Sequence, residues 1–446
     1  MAGIVLLAVG VVAGYAVAGT NFVLDDWFTL RNAHFDGAWG AAGDTQRVAR
    51  PGAWITYALV FGAIGRHPLP VLLLQGAVTL ATAVAFFALL RRLVRESLAG
   101  LATALWLILP NHTSLEVWAS AANIALSVLL LVAGCLVLTS VRLGTWRLVV
   151  VAALFAGSVL SYEATLPVAA TAAVALPWIV ARRIRWDAVV AAAIGLGASA
   201  VWIVAHWNPA KDVSDEVVDL SQILGAHLGW GIAPEGVVAD ALLLAGLLGT
   251  AVALGRLVLP SWRPAAGSEE WIVLAGVVVV VLGTLPFAFY LYAPLGAGDR
   301  FNAVSSLGGA LIWAGLLGLV WRAHRGLAAA GLVVLAGAAL VARVERVMVW
   351  HKAGSDAVAI LDGVHATIPD PDGTIVIGPH PIQEDNVAAF LDQSNINAAV
   401  QLEYDDPGVR GGISFSPEQF DQVPVHLRFD IRDVSELRDE ERPASG

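Results

Sequence analysis

Residues 3–20, GIVLLAVGVVAGYAVAGT, hold no charge, and residues 21–31, NFVLDDWFTLR, follow with two adjacent carboxylates, Asp25 and Asp26. An apolar run of that length can cross a bilayer. The acidic pair therefore sits where a membrane helix re-enters water. Two readings of the pair are open at this point. Carboxylates at a wet interface cost little, so the pair can simply solvate a helix end. Alternatively it faces a cavity at the membrane surface and does acid–base or metal work.

The rest of the chain sets the context. Of 446 residues, 58% are hydrophobic and only 14% charged, and the mean hydropathy is +0.73. That composition excludes an ordinary soluble domain and defines a polytopic helical membrane protein. The net charge of −10 owes much to an acid-rich C-terminal part and does not suggest nucleic acid. A single cysteine, Cys135, lies in an apolar run and permits no intramolecular disulfide. The first segment lacks a cationic n-region and reads as a retained helix, not a cleaved signal peptide.

Apolar runs place candidate spans at 3–21, 69–90, 98–110, 122–140, 148–162, 164–181, 188–206, 237–258, 271–292, 304–321 and 327–347, about eleven in all. Arginines collect in alternate short loops: Arg91, Arg92 and Arg95, then Arg142 and Arg147, then Arg182, Arg183 and Arg185, with Arg256, Arg263, Arg322 and Arg325 continuing the series. Loops 111–121 and 162–164 carry no basic residue. The basic side is the cytoplasmic one, so Asp25 and Asp26 emerge on the extracytoplasmic face of an inner or plasma membrane. An odd span count puts the C-terminus there too.

Outer loops at 21–68 and 207–236 are the long ones. In the first, Arg50-Pro51 opens GAWITYALVFGAIG, too short to cross and read as an interfacial or re-entrant helix. Crossing by this stretch would make the span count even and move the C-terminus inside. Glu116 is the one acid between Glu96 and Glu163; a helix starting near Thr113 would put Glu116 and Asn123 on one face. Glu163 interrupts two apolar runs and needs a partner or a wet cavity. In the second outer loop Val217, Leu220, Ile223 and Leu224 have the spacing of an amphipathic surface helix, with His227 beyond it as an ordinary polar residue. Gly296 and Gly298 make a tight loop before Asp299-Arg300, and a guanidinium at that level can grip a phosphate bidentately or pair with a carboxylate. Residues 1–347 thus form a transmembrane domain. Residues 348–436 read as a small soluble α/β unit on the outer side, with helices at 353–367 and 384–393 and strands at 374–377 and 425–429. Residues 437–446 form a disordered tail. No phosphate loop and no zinc-spaced Cys/His cluster is present.

Five motifs in order carry a family resemblance: Asp25-Asp26-Trp27, Arg50-Pro51, Pro110 with Glu116-Val117-Trp118, Leu160-Ser161-Tyr162-Glu163 with Pro167, and Asp299-Arg300. Over residues 1 to about 347 the chain resembles GT-C superfamily membrane glycosyltransferases, most of all the protein O-mannosyltransferase-like branch and its bacterial relatives. Tyr162 stands where that pattern often has Lys. The C-terminal part matches no domain.

The resemblance implies an inverting transferase that moves a sugar from a polyprenyl-phosphate donor to a hydroxyl of a glycan, lipid or protein acceptor. Such chemistry requires a carboxylate to take the acceptor's proton and a cation to hold the donor phosphate. By the family pattern Asp25 is the base, and Asp26 orients it or binds a metal. Arg300, Arg50, Glu116, Glu163 and Asp299 are the donor-phosphate and substrate-binding candidates. No cofactor is certain, and a divalent metal would lack a dedicated ligand set. The competing readings are a lipid or glycan transporter or flippase, an inert scaffold displaying its tail, and an O-antigen ligase or polymerase. The charges gather on one face instead of at mid-depth, which speaks against transport.

Overall fold

A computed structural model describes residues 2–19, 21–42, 50–140, 144–182, 184–206, 220–234, 236–258, 268–287, 295–378, 383–384, 387–390, 392–414 and 416–431. Eight described helices are long and apolar enough to cross a membrane, and three shorter apolar helices accompany them. The chain is thus an integral membrane protein with a helical bundle as its main body.

The first part of the bundle comprises α1 (Ala2–Ala18), α2 (Asp26–Phe35), α3 (Pro51–Tyr57), α4 (Pro68–Leu90), α5 (Glu96–Ile108) and α6 (Ser114–Val117). Next come α7 (Ala122–Leu138), α8 (Thr145–Ser161), α9 (Leu166–Ala181) and α10 (Trp186–Ala205). The later helices are α11 (Leu220–Leu228), α12 (Val237–Val258), α13 (Glu269–Thr284), α14 (Ser305–Ala323) and α15 (Arg325–Thr367). Pro51 and Pro68 each open a helix, where the missing N–H costs nothing and the fixed φ is already helical. Small residues let the bundle close: a Cβ on Gly308 would sit 2.5 Å from the Gly276 carbonyl oxygen, so α13 and α14 meet backbone to backbone.

The re-entrant stretch begins as α3 and continues as a π-helical turn over Ala58–Ala63. A Cβ on Gly52 would lie 2.8 Å from the Ser161 backbone nitrogen, so α3 is pressed onto the end of α8. The helix expected from Thr113 does not form as drawn. It stops after one turn because Trp118 is extended (φ −103°, ψ 114°), and a 3₁₀ turn, Ala119–Ala121, precedes α7. Glu116 and Asn123 are therefore carried by different helices, α6 and α7.

The separate helix expected at 353–367 is the far end of α15, a 43-residue helix that passes position 347 without a break. The helix expected at 384–393 is also absent. Gln383–Glu384 (β2) and Val387–Ala388 (β3) pair antiparallel there, and the real helix, α16 (Gln393–Glu403), starts after them. Its cap explains the shift: the Asp392 carboxylate accepts from the amides of Ser394 and Asn395. Three parallel strands, β1 (Thr374–Gly378), β4 (Arg410–Ile413) and β5 (Arg428–Asp430), pair in the order β4-β1-β5, and α17 (Pro417–Asp421) links the last two. The strand expected at 425–429 begins only at Arg428, after a 3₁₀ turn. Residues 207–219 and the 437–446 tail lie outside the described residues.

The apolar residues form two cores. One fills the bundle. The other joins Phe22, Trp27, Leu30 and Phe61 of the first outer segment to Ile360, Ile375, Phe390, Ile396 and Phe429 of the C-terminal part. Polar ties reinforce this joint: Arg31 Nε donates to Gln401 Oε1 at 2.8 Å, and Arg66 donates to the Leu402 carbonyl at 2.9 Å.

Candidate active site

The acidic pair lies between the two cores, and its members have different surroundings. Leu24 is held at φ +52°, a strained conformation for a residue with a Cβ. Its amide donates to the Ala389 carbonyl of the C-terminal part at 3.3 Å. The bend turns Asp26 inward. Asp26 Oδ1 accepts from the Ser120 amide at 2.7 Å and the Ser120 hydroxyl at 2.6 Å, and Oδ2 accepts from the Val23 amide at 3.2 Å. Asp26 is 1% exposed. Burial pushes its carboxyl up to about 7 against the downward pull of these hydrogen bonds. Such a carboxylate is a tie between segments, and among the described residues no three His, Cys, Asp or Glu side chains gather to hold a metal ion.

Asp25 stays partly open. Burial raises its pKa, the Arg300 guanidinium opposes that rise, Asp392 adds to it, and a hydrogen bond from Asn395 lowers it again. Arg300 stands on aromatic faces, with its guanidinium carbon 4.9 Å from the centre of the Trp118 ring and 5.2 Å from that of Phe301. Among the described residues it has no hydrogen-bonded acceptor. Two further donors nearby are also unmatched: the Trp118 Nε1 and the Tyr162 hydroxyl are buried without a hydrogen-bond partner. Burial raises the Tyr162 pKa, which keeps the phenol in its donor form. The three are donors, and among the described residues none of them has a hydrogen-bonded acceptor.

The neighbouring charges are already used. Arg50 and Glu163 form a two-point pair, with Arg50 Nε 2.8 Å from Oε2 and NH2 bound to Oε1, and Arg50 lies over the Tyr162 ring. Asp299 accepts from the Ser114 amide with both oxygens, at 3.0 and 3.2 Å. It is fully buried, and burial pushes its carboxyl up to about 7. That tie docks the late turn onto α6 and sets Arg300 over Trp118. Glu116 is enclosed elsewhere: Tyr15 and Arg343 both bind its Oε2, and His112 Nε2 lies 4.0 Å from Oε1. His227, expected to be ordinary, is buried and hydrogen bonded to the Asn111 amide at 2.9 Å.

The structure thus brings Asp25, Asp26, Arg300, Asp299, Arg50 and Glu163 to one end of the bundle and leaves Glu116 in a separate buried cluster. Sequence reasoning missed Ser120, Tyr57, Asn395 and Asp392. Tyr57 donates to the Ser120 carbonyl at 2.8 Å, and so braces the residue that holds Asp26. A serine two residues after the Pro110–Trp118 motif gave no signal of its own. Asn395 and Asp392 come from a stretch that reads as generic polar helix.

Bundle and site together describe a helical membrane protein with a partly open carboxylate at one end and, among the described residues, a guanidinium without an acceptor beside it. No protein-family model matches the chain, and no curated sequence does. In structure the chain is similar to ArnT from Cupriavidus metallidurans, which was crystallised bound to undecaprenyl phosphate. The likeness covers 98% of this chain and 91% of ArnT at 12% identity, with a TM-score of 0.50. At that identity the likeness establishes the fold.

Proposed function

We propose that the protein is an inverting glycosyltransferase that moves a sugar from a polyprenyl-phosphate donor to an acceptor hydroxyl. The observation that carries this reading is the juxtaposition of a partly open Asp25 with the unmatched donors of Arg300, Trp118 and Tyr162. A phosphate seated among those donors would present the anomeric carbon of its sugar toward Asp25. The acceptor hydroxyl has a pKa far above neutrality, so a carboxylate must take its proton as the new bond forms. Asp25 is that base. Arg300 holds the leaving phosphate, and the Tyr162 hydroxyl supplies a neutral donor where related sequences often have a cation. Asp26 and Asp299 hold the parts in place, and Arg50 with Glu163 fixes α3 against the end of α8. ArnT, with the same fold, binds a polyprenyl phosphate, and this supports a lipid donor here.

On this reading the site and the C-terminal part face outward, as the arginine distribution requires. The acceptor is a glycan, lipid or protein. Purified full-length protein should transfer label from one member of a panel of radiolabelled polyprenyl-phosphate sugars. Asp25→Asn keeps size and hydrogen bonding but cannot accept a proton. It should lower turnover by ~10²- to 10⁴-fold while a donor analogue still binds. A preparation that transfers sugar equally well with Asn at 25 would remove the central assignment. A C-terminal reporter active only in the cytoplasm would overturn the sidedness.

A further inference from the structure

We propose that Asn395 is a positioning residue for Asp25, so that the C-terminal part of the chain completes the active site. The inference rests on the reading of Asp25 as base. Its grounds are geometric. The amide of Leu24, the strained residue before Asp25, is held by the Ala389 carbonyl. Trp27 and Phe390 pack with ring centres 6.0 Å apart. The start of α16 is thereby fixed beside the acidic pair. At that start the Asp392 carboxylate collects the Ser394 amide and hydroxyl, the Asn395 amide and Asn395 Nδ2, the last at 2.8 Å.

Asn395 is 1% exposed; its Nδ2 donates to Asp392, and it lies close enough to Asp25 to lower that carboxyl's pKa. Its Oδ1 is buried with no partner. A half-satisfied buried amide costs stability and calls for another explanation. Electrostatics fixes which way it points. The flipped amide would set a carbonyl oxygen against the Asp392 carboxylate, whereas the observed one gives it a donor. Asn395 thus stands between two like charges, holds Asp392 by its N–H and favours the ionised form of Asp25. The other groups facing Asp25 are Arg300 from the late turn, Asp26 on α2 and Tyr57 on α3. Asn395 and Asp392 are the contributions of the C-terminal part.

The test is a substrate-free titration of the Asp25 carboxyl. It uses pH-difference infrared spectra of full-length protein in nanodiscs, with Asp25→Asn assigning the band. Asn395→Ala removes a donor to the ionised form and should raise the Asp25 midpoint by about half to one pH unit. Asp392→Asn removes a like charge, keeps a residue that caps helices well, and should lower the midpoint by a similar amount. The acidic limb of the rate profile should move with each. An unchanged midpoint in both variants overturns the inference and leaves the transferase reading intact. Midpoints that move in an enzyme indifferent to Asp25→Asn would sink the transferase assignment while the positioning contact stands.

Discussion

Two acid–guanidinium clusters sit in this molecule, and they differ in what they leave unfinished. In the inner one, Glu116 and Arg343 are 2% and 5% exposed, and Tyr15 closes the remaining approach. In the outer one, Asp25 is partly open, and Arg300 rests on two aromatic rings with no acceptor among the described residues. The residue types are the same. In the first, charge meets charge and joins α1, α6 and α15, although Glu116 Oε1 and Arg343 Nε stay buried without hydrogen-bond partners. In the second, the charges are held apart by neighbours that are themselves saturated: Asp26 by Ser120, Asp299 by Ser114, Glu163 by Arg50. On the transferase reading, the groups that would react are kept available because their neighbours are already engaged.

The strongest way to break this contrast is to unpair the inner cluster. Arg343→Ala would strand a buried carboxylate, and such losses cost about 3–5 kcal/mol. Thermal unfolding in detergent should show a large fall, and replacing Glu116 by Gln in the same chain should recover part of it. A small effect would mean that Glu116 is reached by water and belongs with the outer group. The outer cluster should respond differently. Arg300→Lys keeps the charge but loses the planar fork, and should weaken donor use by about 1.5–3 kcal/mol with unfolding almost unchanged. Normal turnover in that variant would shift the phosphate to Arg50.

The smallest expected effect is on pH. Burial raises Asp26 and Asp299 to about 7, above the value either has in an unfolded chain. A raised carboxyl contributes stability that is complete below its unfolded pKa and is lost as pH climbs through its folded pKa. Melting temperature should therefore decline from about pH 4 to about pH 7. Asp26→Asn should flatten part of that slope, and an unaltered slope would place the titration elsewhere.

The apolar runs made the bundle legible, because lipid forces long uncharged helices and helices satisfy their own backbone. The positions of Asp25, Asp26 and Arg300 were legible for a related reason: charge beside such runs is expensive and stands out. The fate of Glu116 was hidden because its partners, Tyr15 and Arg343, lie inside runs read only as spans. The stretch 384–393 has helical composition, yet Ala389 is drawn off to pair with Leu24 and the helix waits for the Asp392 cap. Asn395 gave no sign because its role comes from a chain segment some 370 residues away, docked by a shared core.

One consequence of α15 remains. Its 43 residues run unbroken from inside the bundle to within a short link of β1, a rod of about 65 Å at 1.5 Å per residue. A rod transmits angle as well as distance. Each residue added to it would turn everything beyond by about 100°, so the C-terminal unit is indexed to the bundle like one gear keyed to another on a shared shaft. Changes of chain length that a slack tether would absorb are here converted into rotation. The alignment of α16 with the acidic pair is then set partly by the number of residues in α15, whose far end packs on α16 and pairs His365 with Glu403 at 3.5 Å.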